Sequence, residues 1–107
     1  MKIAVTSQNR RTITQHAGRC RKFFVFTIEN GQILSKELLE LPKEQSFRES
    51  SRDESHPLDD IDLLIAGGMG EGLRKRLDEK GIECIVTSEE DPERAVALYL
   101  SGSLPRE

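Results

Sequence analysis

The sequence predicts one α/β domain: a mixed five-stranded sheet, an antiparallel meander followed by a parallel β-α-β unit, with flanking helices. Three observations carry this. Asn30-Gly31 follows the aromatic and β-branched run Phe23–Ile28, and this dipeptide supplies the two positive-φ residues of a hairpin turn. Ile61–Ala66 is a nearly continuous apolar strand, as in a sheet covered on both faces. A helix and a further strand follow it, which is the order of a right-handed parallel crossover.

Each element has a local reason. Ile3-Ala4-Val5-Thr6 reads as a short buried strand, ended by polar Ser7-Gln8-Asn9. After Phe23–Ile28 and its turn, a return strand runs from about Gln32 to Leu41, where Pro42 stops it. Behind the glycines that follow Ala66, a helix runs to Lys80, with Leu73 and Leu77 on one face and Gly81 as its stop. A strand from Ile82 to Thr87 comes next. Asp91-Pro92 then starts a second helix, Asp capping free amides and Pro filling the first turn. Its buried stripe is Ala95, Val96 and Tyr99, and Gly102 ends it. Residues 43–57 hold Phe47 as their one large apolar side chain, too little to offset ordering entropy. They predict a mobile surface loop inside the single domain of residues 1–107, with room for a short helix.

Composition narrows the function. The 107 residues fit one domain, and the net charge of −3 gives no basic excess for nucleic acid. Charge is nonetheless uneven. Residues 1–42 carry seven Lys/Arg against three Asp/Glu, a local charge of +4, and residues 43–107 carry nine against sixteen, a local charge of −7. An anion-binding surface is therefore expected in the first part of the chain. No apolar run reaches membrane-spanning length, and the N-terminus enters a strand without a signal peptide's apolar core. Cys20 and Cys84 show no metal or redox spacing, so two free thiols in a cytoplasmic protein are the natural reading.

Two segments carry candidate chemistry. Gly67-Gly68-Met69-Gly70-Glu71-Gly72 lies between a strand and a helix, where backbone amides can receive an anion. It matches neither the dinucleotide nor the triphosphate fingerprint, and a tight turn for close helix–strand packing explains it equally well. Met69 could offer a thioether, although its spacing to Leu73 favours core packing. The second segment, Arg10 to Lys22, holds five basic residues, no acid, and both His16 and Cys20. Flanking cations would favour the Cys20 thiolate, and imidazole and thiolate both ligate soft to borderline metals. One His and one Cys do not close a structural site. His56 precedes Pro57 as a surface residue, and Cys84 reads as a small buried hydrophobe. Catalysis has less support: the first strand carries no carboxylate for a two-metal site, Asp62 stands alone on the fourth, and a Cys20–His16 nucleophile pair lacks an orienting third group.

In order and spacing, these segments resemble the dinitrogenase iron-molybdenum cofactor-binding family, small proteins related to nitrogenase cofactor carriers and biosynthesis factors. The matching features are Met1–Thr6, His16-x-Gly18-Arg19-Cys20, Phe23–Ile28, His56, Ile61–Ala66 running into Gly67-Gly68-Met69-Gly70, and Thr87 with its helix. His16 is followed by Ala17, where that family commonly has Phe. The resemblance implies a ribonuclease H-like fold without ribonuclease chemistry. It also implies binding, not catalysis, of an iron-molybdenum cofactor or iron-sulfur precursor cluster, with a role in metallocluster biosynthesis or nitrogen fixation. Carried over by position, His16, Cys20 and His56 are the metal ligands, while Arg19, Gly67, Gly68, Met69 and Gly70 contact the cluster. The implied partners are the metallocluster and a cluster-donor or acceptor protein, with no nucleic acid and no membrane. The alternative is a binding module for a small phosphorylated or carboxylated metabolite without metal.

Overall fold

The computed structural model describes residues 1–107. Five strands form one sheet: β1 (Lys2–Thr6), β2 (Lys22–Glu29), β3 (Gln32–Glu40), β4 (Leu63–Ala66) and β5 (Glu83–Val86). Their spatial order is β3-β2-β1-β4-β5. β1 to β3 pair antiparallel, whereas β1 with β4 and β4 with β5 pair parallel. The α/β class, the mixed five-stranded sheet and its split into meander and crossover are as the sequence predicts.

Two helices cover opposite faces. α1 (Glu71–Glu79) connects β4 to β5, and α2 (Pro92–Leu100) follows β5. One apolar cluster joins Ile3, Val5, Phe26 and Ile65 to Ala95 and Val96 of α2. The other joins Ala4, Phe23 and Leu64 to Leu77 of α1. Alternation along β1 and β4 sends successive side chains to opposite faces, so β4 is buried at all four positions. The turn and cap residues also behave as read. Asn30 and Gly31 have φ of 54° and 74°, and the Asp91 side chain accepts from the Glu93 amide at 3.2 Å.

Residues 43–57 depart from the expected surface loop. Ser46, Phe47 and His56 are buried, and Phe47 joins the α1-side core. The reason is polar anchoring that hydrophobicity alone does not reveal. Arg76 of α1 donates through Nη1 to the Phe47 carbonyl at 2.8 Å and the Ser50 carbonyl at 3.1 Å. Its Nη2 donates to Ser50 Oγ at 3.1 Å and the Ser51 carbonyl at 3.2 Å. The same guanidinium lies 5.4 Å from the Phe47 ring centroid. A buried cation that satisfies carbonyls can hold a segment poor in apolar side chains. No helix is long and apolar enough to cross a membrane.

Candidate functional site

The site begins where the chain leaves β1 and doubles back. Asn9 Oδ1 accepts from the amides of Arg11 and Thr12, both at 2.8 Å, closing the turn that returns the chain beside the sheet. Thr14 then bridges the ends of β1 and β4. Its amide donates to the Thr6 carbonyl at 3.0 Å, and its carbonyl accepts from the Gly67 amide at 2.9 Å. One residue on, the Gly68 carbonyl accepts from the Ala17 amide at 3.2 Å.

This pairing explains the first two glycines. A Cβ on Gly68 would stand 2.2 Å from the Gln15 carbonyl oxygen, and one on Gly67 would stand 3.1 Å from the Thr14 carbonyl. The two glycines let backbones approach, and Gly67 spends its amide on the protein. Gly70 is different. Nothing lies within 4 Å of where its Cβ would be, and it sits at the N-cap of α1. The amides of Gly68, Met69 and Gly70 donate to no backbone acceptor.

These three residues line a cleft of about 390 Å³. His16, Arg19 and Gly18 form one wall, Gly68, Met69, Gly70 and Leu73 the other, and Arg48 closes it from the 43–57 segment. The Arg48 amide donates to the Gly18 carbonyl at 2.8 Å, which fixes that third wall. No carboxylate lines the cleft. His16 is exposed at the start of a 3-10 turn, Ala17–Arg19. Met69 is half-buried and packs against the α1-side core, as its spacing suggests. The cleft thus combines one accessible imidazole and two guanidiniums with the bend that leads into the N-terminus of α1.

Cys20 and His56 do not belong to it. Cys20 is buried in the α1-side core, with Sγ donating to the Lys22 carbonyl at 3.0 Å. Burial pushes its thiol above the ordinary value, outweighing hydrogen bonds from nearby backbone that act the other way. The neighbouring cations do not make it a thiolate, because their heads stay in water while the sulfur packs inward. His56 is a structural imidazole. Nε2 donates to the Gln45 carbonyl at 2.7 Å, and Nδ1 accepts from the Leu58 amide at 3.1 Å. The ring stacks on Phe47 with centroids 4.6 Å apart. Both nitrogens are used, so neither lone pair is free for a metal. Nowhere do three or more His, Cys, Asp or Glu side chains gather as a metal-ion cage. The three-residue ligand set His16, Cys20 and His56 is therefore not assembled; His16 alone reaches the cleft.

Residues 1–102 match the family described as dinitrogenase iron-molybdenum cofactor. The chain belongs to this family. It is 26% identical over 108 residues to the uncharacterized protein MJ0580 of Methanocaldococcus jannaschii, covering 99% of this chain and 91% of that one. Its fold is similar to the crystal structure of PH0822, with TM-score 0.77 and 18% identity over 100% of this chain and 95% of that one. It is also similar to the apo form of the orange protein from Desulfovibrio gigas, with TM-score 0.71 and 19% identity over 99% and 92% of the two chains. Family membership supports a cluster-related role.

Sequence reasoning missed Arg48 and Arg76. Neither sits in a motif, and each acquires its place only when the 43–57 segment folds onto α1 and the 3-10 turn. Arg19, His16 and the run Gly68–Gly70 were legible, and the structure brings them together.

Proposed function

We propose that the protein binds and carries a preassembled anionic cluster of the iron-sulfur or iron-molybdenum type. The cluster is cargo, held in the cleft between residues 15–19 and 68–73, and the protein does not turn it over. The observation that supports this most is the joint wall of His16, Arg19, Arg48 and the unspent amides of Gly68, Met69 and Gly70, with no acid among them. One imidazole cannot hold a bare ion against water. It can anchor a cluster that already carries its own sulfides, while guanidiniums and amides meet the negative charge. An open cleft suits reversible loading from a donor protein and delivery to an acceptor. Two free thiols fit a reducing cytoplasm as the setting.

Anaerobic titration with such a cluster, followed by visible absorption, tests the reading. His16→Ala is expected to lower affinity by about tenfold or more, the loss of roughly one charge-assisted or coordinate contact. His16→Ala with unchanged cluster affinity and spectrum would overturn the assignment. Cys20→Ser is expected to leave the spectrum as it is.

A further inference from the structure

Beside the His16 cleft lies a second concavity of about 290 Å³, lined by Arg19, Arg21, Lys43, Ser46, Arg48 and Glu49. Four cations face one acid in a protein whose net charge is −3. We propose that this concavity binds a small polyanion bearing phosphate or carboxylate oxygens, held beside the cluster cleft and independently of His16.

Several observations carry the proposal. The structure contains six ion pairs, and none uses Arg19, Arg21, Lys43 or Arg48. Acids are plentiful elsewhere, yet these four cations converge with only Glu49 beside them. Crowded like charges repel unless an anion sits among them. The crowding is built into the backbone. The Leu41 amide donates to the Arg21 carbonyl at 2.7 Å, and Arg21 Nε donates to the Leu41 carbonyl at 3.1 Å. The Arg48 amide donates to the Gly18 carbonyl at 2.8 Å. Three separate segments are thereby locked around one hollow, and the Nη groups of Arg21 remain for a ligand.

Ser46 is a second, independent pointer. It is 3% exposed, and its Oγ accepts from the Glu49 amide at 3.3 Å. No protein acceptor takes the hydroxyl proton of this buried side chain, and Ser46 lines the concavity. A hydroxyl donor among guanidiniums is the donor set that recognises oxyanions. The volume suits a small ligand, since a protein or nucleic-acid partner would need a broad face. Arg19 and Arg48 line both hollows, so occupancy of one is felt by the other.

The experiment uses the whole chain at low ionic strength. Pyrophosphate and tricarballylate are titrated calorimetrically, one for each oxygen chemistry, with amide chemical shifts followed in parallel. Expected are saturable binding of at least one probe, weakening as salt rises, and shift changes centred on residues 19, 21, 43, 46 and 48. Arg21→Gln combined with Lys43→Gln should lower affinity by about tenfold or more, the value of losing two charged contacts. Lys43→Gln alone, at an exposed side chain free of hydrogen bonds, cannot unfold the protein and should lower affinity by a smaller factor. His16→Ala should leave affinity for these probes within about twofold, whereas it lowers cluster affinity by about tenfold or more if the carrier reading holds. Absence of saturable binding by either probe, binding only of an acidic polypeptide, or affinity unchanged in Lys43→Gln and the double variant would each overturn the proposal.

Discussion

The loop of residues 12–18 separates two clefts of nearly equal size and opposite charge. On one side, about 400 Å³ is lined by Thr12, Ile13, Thr87, Glu89, Glu90 and Glu107. On the other, about 390 Å³ is lined by His16, Arg19, Arg48 and the Gly68–Gly70 bend. Gln15 borders both. The acidic side is closed by the chain end, where the Glu107 amide donates to the Val86 carbonyl at 2.8 Å, and by the Glu90 carbonyl, which accepts from the Ile13 amide at 2.8 Å. The two clefts have nearly equal volume and opposite charge, so volume does not distinguish them. Charge does, and the cations lie on the His16 side.

The comparison breaks most severely at the partition itself. In Gly68→Ala the new methyl would meet the Gln15 carbonyl at 2.2 Å, and backbone rather than a flexible side chain must move. A destabilisation of about 3 kcal/mol is expected by denaturant unfolding, at the upper end for forced overpacking. Gly70→Ala, in open space, is the control and should cost well under that.

Next in size is the wall contributed by residues 43–57. Arg76→Met keeps the stem but removes the guanidinium donors to Phe47, Ser50 and Ser51, leaving the buried Phe47 carbonyl without its partner. A loss of about 2 kcal/mol is expected from thermal unfolding, together with weakened cluster binding as Arg48 loses its support. Unchanged stability would show that the segment packs without its cation.

A pH dependence sharpens the same wall. Burial, followed by the nearby Arg76 charge, holds the His56 imidazole below its ordinary 6.5, against the hydrogen bond to Gln45. The unfolded chain then binds the proton more readily than the folded one. Stability is whole above 6.5 and is lost as pH falls from there through the lowered folded value. Protonation would also turn Nδ1 into a donor facing the Leu58 amide. Melting temperature should fall between pH 7 and 5, and His56→Gln should flatten that slope while costing about 1 kcal/mol at neutral pH.

The smallest effect tests the acidic side. Glu90→Gln, at an exposed side chain, should alter stability by less than about 0.5 kcal/mol and leave cluster affinity unchanged. Arg48→Gln, across the loop, should lower that affinity several-fold. A reversed ranking would place the cargo in the wrong cleft.

Much of this was readable residue by residue. Asn30-Gly31, Asp91-Pro92, Gly81 and the apolar β4 run each act through neighbours in sequence, so their roles follow from local chemistry alone. The basic loop and the glycine bend were likewise legible, because an unequal charge distribution and a strand-to-helix junction are sequence properties. Cys20 shows where such reading stops. Its flanking cations suggested a thiolate, but whether a sulfur faces water or core depends on which side of the sheet the chain turns. His56 failed for the same reason: a histidine before proline gives no sign that a backbone carbonyl 11 residues earlier will claim its Nε2.

Sequence alone determined the elements, the strand pairing by crossover and hairpin, and the family, since these follow from periodicity, turn chemistry and order along the chain. Tertiary structure decided the site. It turned Cys20 inward, used both nitrogens of His56, and brought Arg48 to a wall with His16 through a segment whose fold depends on Arg76. Burial and hydrogen-bond allocation are properties of what packs against a residue, and that partner lies far away in the chain.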